Sequence, residues 1–268
     1  MRIAAVIPAR MQSTRLPGKP LREIAGIPMI VRVLRRAQAC PDLCRIIVAT
    51  DSEEIVRAVE AAGGEAWMTS TEHRTGSDRV AEVAAKLSEE FILNLQGDEP
   101  LVPVSTLTAL IRFAGDHPEL VVATPVTPLW TESDVLNPNI VKAVFAADGR
   151  ALYFSRCPIP FVKSRPHGVG LSPAGEARHY KHVGIYLYRR VFLLRYVNLP
   201  PTKLEISESL EQLRILEHGH PIHIVQVPED SISVDTPEDL ELVESILAGK
   251  PEAFSRSLPG TQGPPDRE

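Results

Sequence analysis

Cysteine is scarce in this sequence, and apolar runs long enough for a membrane span and long blocks of like charge are missing. Its three cysteines, Cys40, Cys44 and Cys157, leave an odd thiol whatever the pairing. Cys40 and Cys44 lack the further nearby ligands that a metal pair would need. Reduced structural thiols in a cytoplasmic protein are the reading this favours. No apolar run is long enough to cross a bilayer. The start MRIAAVIPAR meets a proline and an arginine before an h-region could form, so no secretory leader is expected. A net charge of -5 argues against a general nucleic-acid binder. The G-x-x-x-x-G-K-S/T spacing of a P-loop is absent, and no G-x-G-x-x-G follows the first strand. Both absences argue against a P-loop NTPase and a dinucleotide-dependent dehydrogenase. No internal repeat is found. What remains is an ordinary soluble composition over 268 residues, with room for one large domain or two small ones.

Against that background one stretch stands out. Ile3 to Ile7 is apolar, and the chain then turns abruptly polar through Pro8-Ala9-Arg10-Met11-Gln12-Ser13-Thr14-Arg15-Leu16-Pro17-Gly18-Lys19-Pro20-Leu21. Arg10, Arg15 and Lys19 bring three cations close together, and Ser13 and Thr14 add hydroxyls. Pro17, Gly18 and Pro20 fix a loop that continues neither helix nor strand. A loop of this kind at the end of a first strand suits a phosphate chain, because oriented donors and cations offset its charge. A solvated basic loop is the competing reading on composition alone.

The rest of the first half alternates. A helix is expected after Pro28, with Ile30, Val33, Leu34 and Ala37 at helical spacing. Arg45 to Asp51 reads as a buried parallel strand. Ser52 caps a helix from Glu53 to Ala62 that Gly63-Gly64 stops, and Glu65 to Met68 is a third strand. A helix from Val80 through Leu87 follows, with Ser77 as its cap and Gly76 free to approach a ligand. Phe91 to Leu95 is a strand that runs into Gln96-Gly97-Asp98-Glu99-Pro100, placing a carboxylate at its C-terminal end. Asp98 could instead be a turn residue bonded to its own backbone. The alternation predicts an α/β fold with a mainly parallel sheet, whose ligands bind beyond the carboxyl ends of the strands.

Leu120 to Val126 is a further strand. From about 127 to 202 prolines multiply and long helices vanish. Strands are expected at Ile140–Phe145, Ala151–Ser155 and His182–Tyr188, in a smaller strand-rich subdomain laid across the sheet. Lys163 to Tyr180 reads as a mobile loop. Leu204 to His218 is expected as one helix, with Ile206, Leu210, Leu213 and Leu216 on one side. Ile222 to Val227 is a core strand, and Ser231 to Val234 a short one. Thr236 as N-cap and Pro237 at the first helical position open a last helix, with Asp235 just outside it. The single domain therefore covers residues 1 to 247, and 248–268 is expected to be a disordered tail.

A basic loop and two separated aspartates, Asp98 and Asp235, form a coherent set. Two carboxylates brought to about 4 Å repel by roughly 4 kcal/mol at an effective dielectric near 20. A divalent cation removes that cost, and Mg²⁺ takes one or two carboxylates together with phosphate oxygens and water. Residue types alone thus reach metal-dependent chemistry on a nucleotide at the end of a sheet.

The sequence also resembles a family, the 3-deoxy-manno-octulosonate (Kdo) cytidylyltransferases, or CMP-Kdo synthetases. The resemblance is carried by the opening stretch Ile7 to Arg10 and Ser13 to Leu21. It continues through Val48-Ala49-Thr50-Asp51, Gly76-Ser77-Asp78-Arg79, Gln96 to Pro100 and Tyr153-Phe154-Ser155-Arg156. His182-Val183-Gly184-Ile185-Tyr186, Leu210-Glu211-Gln212-Leu213-Arg214 and Val234 to Leu240 complete it. These blocks occur in order over residues 1 to about 247. The resemblance implies a Rossmann-like nucleotidyltransferase sheet with a smaller dimerisation and sugar-binding subdomain. It further implies a cytoplasmic, Mg²⁺-dependent homodimer that makes CMP-Kdo and pyrophosphate from CTP and Kdo for lipopolysaccharide assembly, with no nucleic acid or membrane partner.

By matching position, Arg10 and Lys19 would hold the triphosphate, with Ser13 and Arg15 beside it, and Asp98 and Asp235 would bind the metal. Arg10, Lys19, Asp98 and Asp235 would form the catalytic set. Ala9, Gly76, Ser77 and Arg79 would line the cytidine site. Gln96, Arg156, His182, Tyr186 and Glu211 would bind the sugar, with Arg156 able to pair with its carboxylate. Two places depart from the family pattern. Arg74 stands where relatives commonly carry a small or uncharged residue, and the 163–178 loop has an unusual composition. Related acceptors therefore stay open, among them 8-amino-Kdo and N-acetylneuraminate, as does a non-catalytic CTP-binding relative.

Overall fold

The computed structural model describes residues 1–13, 15–163, 169 and 179–249. Strand β1 (Ile3–Ala9) is buried along its whole length. It alternates Ile3, Ala5, Ile7 and Ala9 into one core with Ala4 and Val6 into the core on the other face. A 3₁₀ turn at Lys19–Leu21 and a small hairpin, β2 (Glu23–Ile24) and β3 (Ile27–Pro28), lead into α1 (Met29–Gln38). Then come β4 (Arg45–Thr50), α2 (Glu53–Ala61), β5 (Glu65–Met68), α3 (Gly76–Ala85), β6 (Phe91–Asn94) and α4 (Val104–Asp116). Helix α4 has no counterpart among the sequence expectations, although Leu107, Leu110, Ile111 and Ala114 form its buried seam at helical spacing.

The second half contributes β7 (Val122–Pro128), α5 (Glu132–Leu136), β8 (Lys142–Phe145), β9 (Ala151–Ser155), β10 (Tyr180–His182) and β11 (Tyr186–Arg189). It closes with α6 (Arg190–Tyr196), α7 (Lys203–Glu208), α8 (Gln212–Glu217), β12 (His223–Gln226) and α9 (Pro237–Leu247). Among the described residues the main sheet has ten strands, in the order β5-β4-β1-β6-β11-β7-β10-β8-β9, with β12 paired to β7. Strands β4 and β6 flank β1 in parallel, so the chain steps outward through β4 to β5 and then crosses back to β6. That reversal opens a crevice at the carboxyl ends of β1 and β6, the usual ligand position in such sheets. The strands of the 127–202 segment extend this same sheet rather than lying across it.

Four local expectations are corrected. Helix α3 begins at Gly76, capped by Thr75 and not Ser77, because Thr75 and Asp78 exchange bonds in a capping box. Three residues after Ser77 stands Val80, which cannot reciprocate. The expected strand at 182–188 is two strands: Ile185 N bonds back to Val183 O at 2.7 Å, and the turn sends β10 to β8 and β11 to β6. The expected helix at 204–218 breaks at Ser209, whose φ of 53° closes α7 before α8 starts. Residues 231–234 form no strand and are tied to the sheet end by Val234 N to Asp98 O at 2.9 Å. Helix α9 starts as expected, with Thr236, Pro237 and Asp239 in a capping box. Ala248 and Gly249, the first residues of the tail expected at 248–268, close the helix, and 250–268 lie outside the described residues, as do 164–168 and 170–178 of the 163–180 loop. The three cysteines are unpaired.

Where β6 ends, Gly97 packs directly on the first strand. A Cβ built at Gly97 would sit 2.7 Å from the carbonyl oxygen of Pro8, a backbone atom that cannot swing away. Gly97→Ala is expected to lower unfolding stability by about 1–3 kcal/mol in urea titrations. Gly184→Ala, where nothing lies within 4 Å, is expected to be nearly neutral. Equal effects at the two positions would contradict this packing.

Candidate active site

At the carboxyl end of β1 the chain leaves the sheet and folds back over it. Gly18 (φ 68°) turns it into the Lys19–Leu21 helical turn, and Gly18 N closes the loop on Met11 O at 3.3 Å. The loop roofs a cavity of about 290 Å³. Ten residues named from the sequence line it: Ala9, Arg10, Ser13, Arg15, Lys19, Gly76, Arg79, Gln96, Asp98 and Asp235. A second cavity of about 220 Å³ adjoins the first through Gln96, Asp98 and Asp235, and His182 lines it.

The centre of the first cavity is an ion cluster. Lys19 Nζ lies 2.6 Å from Asp98 Oδ2 and 2.9 Å from Asp235 Oδ1, and Arg15 Nη2 lies 3.2 Å from Asp235 Oδ2. Burial by itself would lower the Lys19 pKa, but Asp98 and then Asp235 more than offset it, so the ammonium is held above its usual value. Burial pushes Asp235 up, and Lys19 and Arg15 reverse this, leaving its carboxyl below the usual range. Asp235 reaches this position because Val234 is bonded to the Asp98 carbonyl and because Asp239 accepts from the Asp235 and Thr236 backbone N–H groups at 2.9 and 2.8 Å.

This arrangement fits a divalent cation. Two carboxylates from distant segments already converge on one cationic atom, and both remain partly exposed to the cavity. No group of three or more metal-ligating side chains occurs among the described residues. Two carboxylates completed by phosphate oxygens and water is the usual make-up of a Mg²⁺ site.

On one flank, Arg79 is almost wholly buried and donates to Asp51 Oδ2 at 2.6 Å and to Thr69 Oγ1. Its cation braces the loop after β4. Ser77 turns away from the cavity and donates to Glu211 Oε2 at 3.0 Å. Burial raises the Glu211 pKa, and the Ser77 bond opposes this. His73 and Thr75 line the cavity with Gly76, though neither was singled out from the sequence. Arg74 is exposed beside them.

On the other flank His182 is a neutral imidazole, its pKa lowered to about 3 by burial and then by Lys181. Its Nε2 lies 3.0 Å from Thr124 Oγ1, which also lies 2.8 Å from the Ile185 carbonyl and 3.2 Å from that of Val183. Carbonyls only accept, so the threonine proton goes to them, and its oxygen accepts from His182 Nε2–H. Nδ1 is then left as an acceptor. Tyr186 is buried and stacks on Tyr188, and it lines neither cavity. Arg156 donates to the carbonyls of Glu208 at 2.8 Å, Pro138 at 3.1 Å and Ser209 at 3.4 Å, and also lies outside both linings. Of the five expected sugar residues, the structure brings Gln96 and His182 to the shared cavities and sets Arg156, Tyr186 and Glu211 back from them.

Sequence reasoning passed over Lys181 and Glu99, which line the second cavity. Glu99 is fully buried, its carboxyl pushed up to about 7 by burial and by neighbouring Asp98, while Ser231 donates to it. Both stand next to residues that were named, which was the available signal. Strand alternation hides Lys181, because neighbours on a strand face opposite ways. Here the strand ends at His182, so the rule lapses.

A family model described as cytidylyltransferase matches residues 4–226. The 3-deoxy-manno-octulosonate cytidylyltransferase of Geobacter sulfurreducens is 45% identical over 245 residues, covering 91% of this chain and 98% of the relative. That of Pelobacter propionicus is 47% identical over 242 residues, covering 90% and 95%. A solved structure of CMP:2-keto-3-deoxy-manno-octonic acid synthetase complexed with CTP superposes with a TM-score of 0.85 at 41% identity, covering 93% of this chain and all of that one. A cytidylyltransferase from Leptospira borgpetersenii, 16% identical with a TM-score of 0.60, shares the fold.

The rim of the first cavity carries an acid-sensitive contact. Glu82 accepts from Ser70 N at 2.9 Å and meets His73 Nε2 at 2.7 Å and Lys86 at 3.3 Å. The Ser70 N–H first, then His73 and Lys86 against the opposing effect of burial, hold its carboxyl down from 4.5 to about 2. A depressed carboxyl contributes stability that is complete above its unfolded pKa and lost as pH falls through its folded one. The stability difference between the wild type and Glu82→Gln is therefore expected to be constant above about pH 5 and to shrink towards pH 2. A difference that survives unchanged at low pH in chemical unfolding would contradict the assignment.

Proposed function

The chain belongs to the 3-deoxy-manno-octulosonate cytidylyltransferase family, and from that membership we propose that it transfers CMP from CTP to the anomeric hydroxyl of Kdo, releasing pyrophosphate. The observation that carries this reading is near-full-length identity of 45% to relatives of that name. The cation-and-carboxylate cluster at the sheet end supplies the chemistry such a transfer needs.

The reaction is an in-line displacement at the α-phosphorus. The anomeric oxygen forms the new P–O bond, its proton is lost, and pyrophosphate departs with the electrons of the α–β bond. No covalent enzyme step is required. Arg10, Arg15 and Lys19 line the cavity together and would neutralise the triphosphate and then the leaving pyrophosphate. Ser13 adds a hydroxyl at the same wall. Asp98 and Asp235 would hold Mg²⁺, which supplies charge screening of the phosphate chain when bound. Ala9, Gly76 and Arg79 would form the cytidine end, with Ser77 behind that wall on Glu211, and Gly76 leaves room: a Cβ there would meet Pro8 at 3.4 Å and Gln96 at 3.6 Å.

Gln96 and His182 would contact the acceptor directly, His182 through its Nδ1. Arg156, Tyr186 and Glu211 would complete the acceptor site from behind these linings. Excluding bulk water from such a cavity favours the sugar hydroxyl over hydrolysis.

A homodimer is the assembly we propose. Strand β9 comes last in the sheet order among the described residues; Ala151 at its start bonds to Ile222 O at 2.8 Å, while Leu152, Phe161 and Ile206 are 62%, 72% and 68% exposed. Apolar side chains left open at a sheet edge call for a partner. No helix among the described residues is long and apolar enough to cross a membrane. Synthesis of a lipopolysaccharide precursor in the cytoplasm is the setting we assign.

Pyrophosphate release from CTP, measured with Kdo, 8-amino-Kdo and N-acetylneuraminate, tests the reading. Kdo is expected to give the highest kcat/KM, and absence of Kdo turnover would overturn it. Asp98→Ala and Asp235→Ala are each expected to lower kcat by about 10²-fold or more, the scale for loss of one charge-stabilising group, while CTP binding persists. Unchanged turnover in both would remove the metal assignment.

A further inference from the structure

The acceptor named above is an acid, and its carboxylate is borne by the anomeric carbon itself. The attacking oxygen must approach the Asp98–Asp235 cluster, so the carboxylate must enter the cavity beside it. That cavity offers an anion few cations of its own. Asp98, Glu99 and Asp235 all line it, and among the described lining residues only Lys181 is a lysine or arginine.

Lys181 is held for such a role. It lies on β10, paired between Thr127 of β7 and Lys142 of β8, so its backbone is fixed by the sheet on both sides. Its Nζ sits 2.8 Å from Asp230 Oδ1 and 2.9 Å from the Ser231 carbonyl. The neighbouring Ser231 hydroxyl donates to Glu99, so one corner of the chain orients both the lysine and the buried acid. The Lys181 side chain is only 19% exposed, whereas its partner Asp230 is 41% exposed. An ion pair with a half-exposed partner contributes little to stability, so the pairing by itself does not explain why the lysine is carried into the cavity. The ammonium also reaches Asp230 Oδ2 at 3.1 Å, so a ligand carboxylate would take the place of a half-exposed carboxylate that already shows the lysine can hold one. Arg156, the cation the sequence points to for a carboxylate, donates to three backbone carbonyls and lines neither cavity.

Resting on the proposed Kdo transfer, we propose that Lys181 recognises the acceptor's carboxylate and so makes the enzyme selective for acidic sugars. The lysine offsets the field of Asp98, Glu99 and Asp235 at the point where the anion enters.

Steady-state pyrophosphate release from the full chain tests this with Kdo and its C1 carboxamide, in which the charge is removed. Lys181→Met is expected to raise the KM for Kdo by about 10- to 100-fold, the scale of one charge-assisted contact, with the KM for CTP within about twofold of wild type. The preference for Kdo over the carboxamide is expected to collapse towards unity. Lys181→Arg is expected to restore most of that preference. Asp230→Asn, which removes the partner and keeps the ammonium, is expected to retain it. Thermal unfolding of each variant identifies a change that is merely structural, and the Kdo-to-carboxamide ratio is insensitive to a loss of folded protein. A ratio unchanged in Lys181→Met would overturn the assignment and leave carboxylate recognition to the cluster. An equal effect from Asp230→Asn would also overturn it, making the lysine a structural ion-pair member. Wild-type turnover with an unchanged ratio sinks only this inference, whereas no wild-type turnover with Kdo removes the functional reading along with it.

Discussion

Two carboxylates held close together in a partly buried place cannot stand without a cation. Asp98 and Asp235 converge on Lys19 from separate segments, and two carboxylates about 4 Å apart would repel by roughly 4 kcal/mol at an effective dielectric near 20. Lys19, 216 residues before Asp235 in sequence, lies between them and offsets it. The site depends on that balance. Lys19 and Arg15 together offset the pair, and a divalent cation taking the carboxylates would leave their cationic groups to a phosphate chain in the same cavity.

The fold makes this juxtaposition possible through contacts far from the charges themselves. The reversal of strand order at β1 and β6 leaves both strand ends facing one crevice. Gly97 lets the β6 end lie against the Pro8 carbonyl, and the bond from Val234 N to Asp98 O ties the last helix to the same edge. The capping box of Thr236 and Asp239 then fixes the direction of the chain at Asp235. Backbone packing sets the positions of the charges, and their electrostatics follow.

Much of this was readable in the chain. The apolar strand breaking into Arg10, Arg15 and Lys19, the carboxylate after β6 and the strong start of α9 each rest on local rules, and local rules found them. The failures are equally local in origin. Ser77 and Thr75 are both good caps, and only the identity of the residue three places on decides between them. The run Ile206, Leu210, Leu213 and Leu216 fits one helix, yet Ile206 is 68% exposed while Leu213 is buried. Tertiary contacts split it: Glu205 is held by Arg214, and Glu208 by Ser155 and the Arg156 backbone. Periodicity cannot see such partners. Nor could residue type separate a cation already bound to backbone carbonyls, as Arg156 is, from one placed at a cavity wall, as Lys181 is.

We assign Asp98 and Asp235 to a single cation position that the nucleotide would complete. Mn²⁺ binding followed by electron paramagnetic resonance, with and without CTP, tests it most directly. Weak binding is expected to the free protein, where Lys19 holds the carboxylates, and binding at least tenfold tighter with CTP, with phosphorus coupling to the metal. That tight binding is expected to be lost in the Asp98→Asn and Asp235→Asn double variant. Tight Mn²⁺ binding that persists in the double variant, beyond what CTP alone gives in solution, would contradict it.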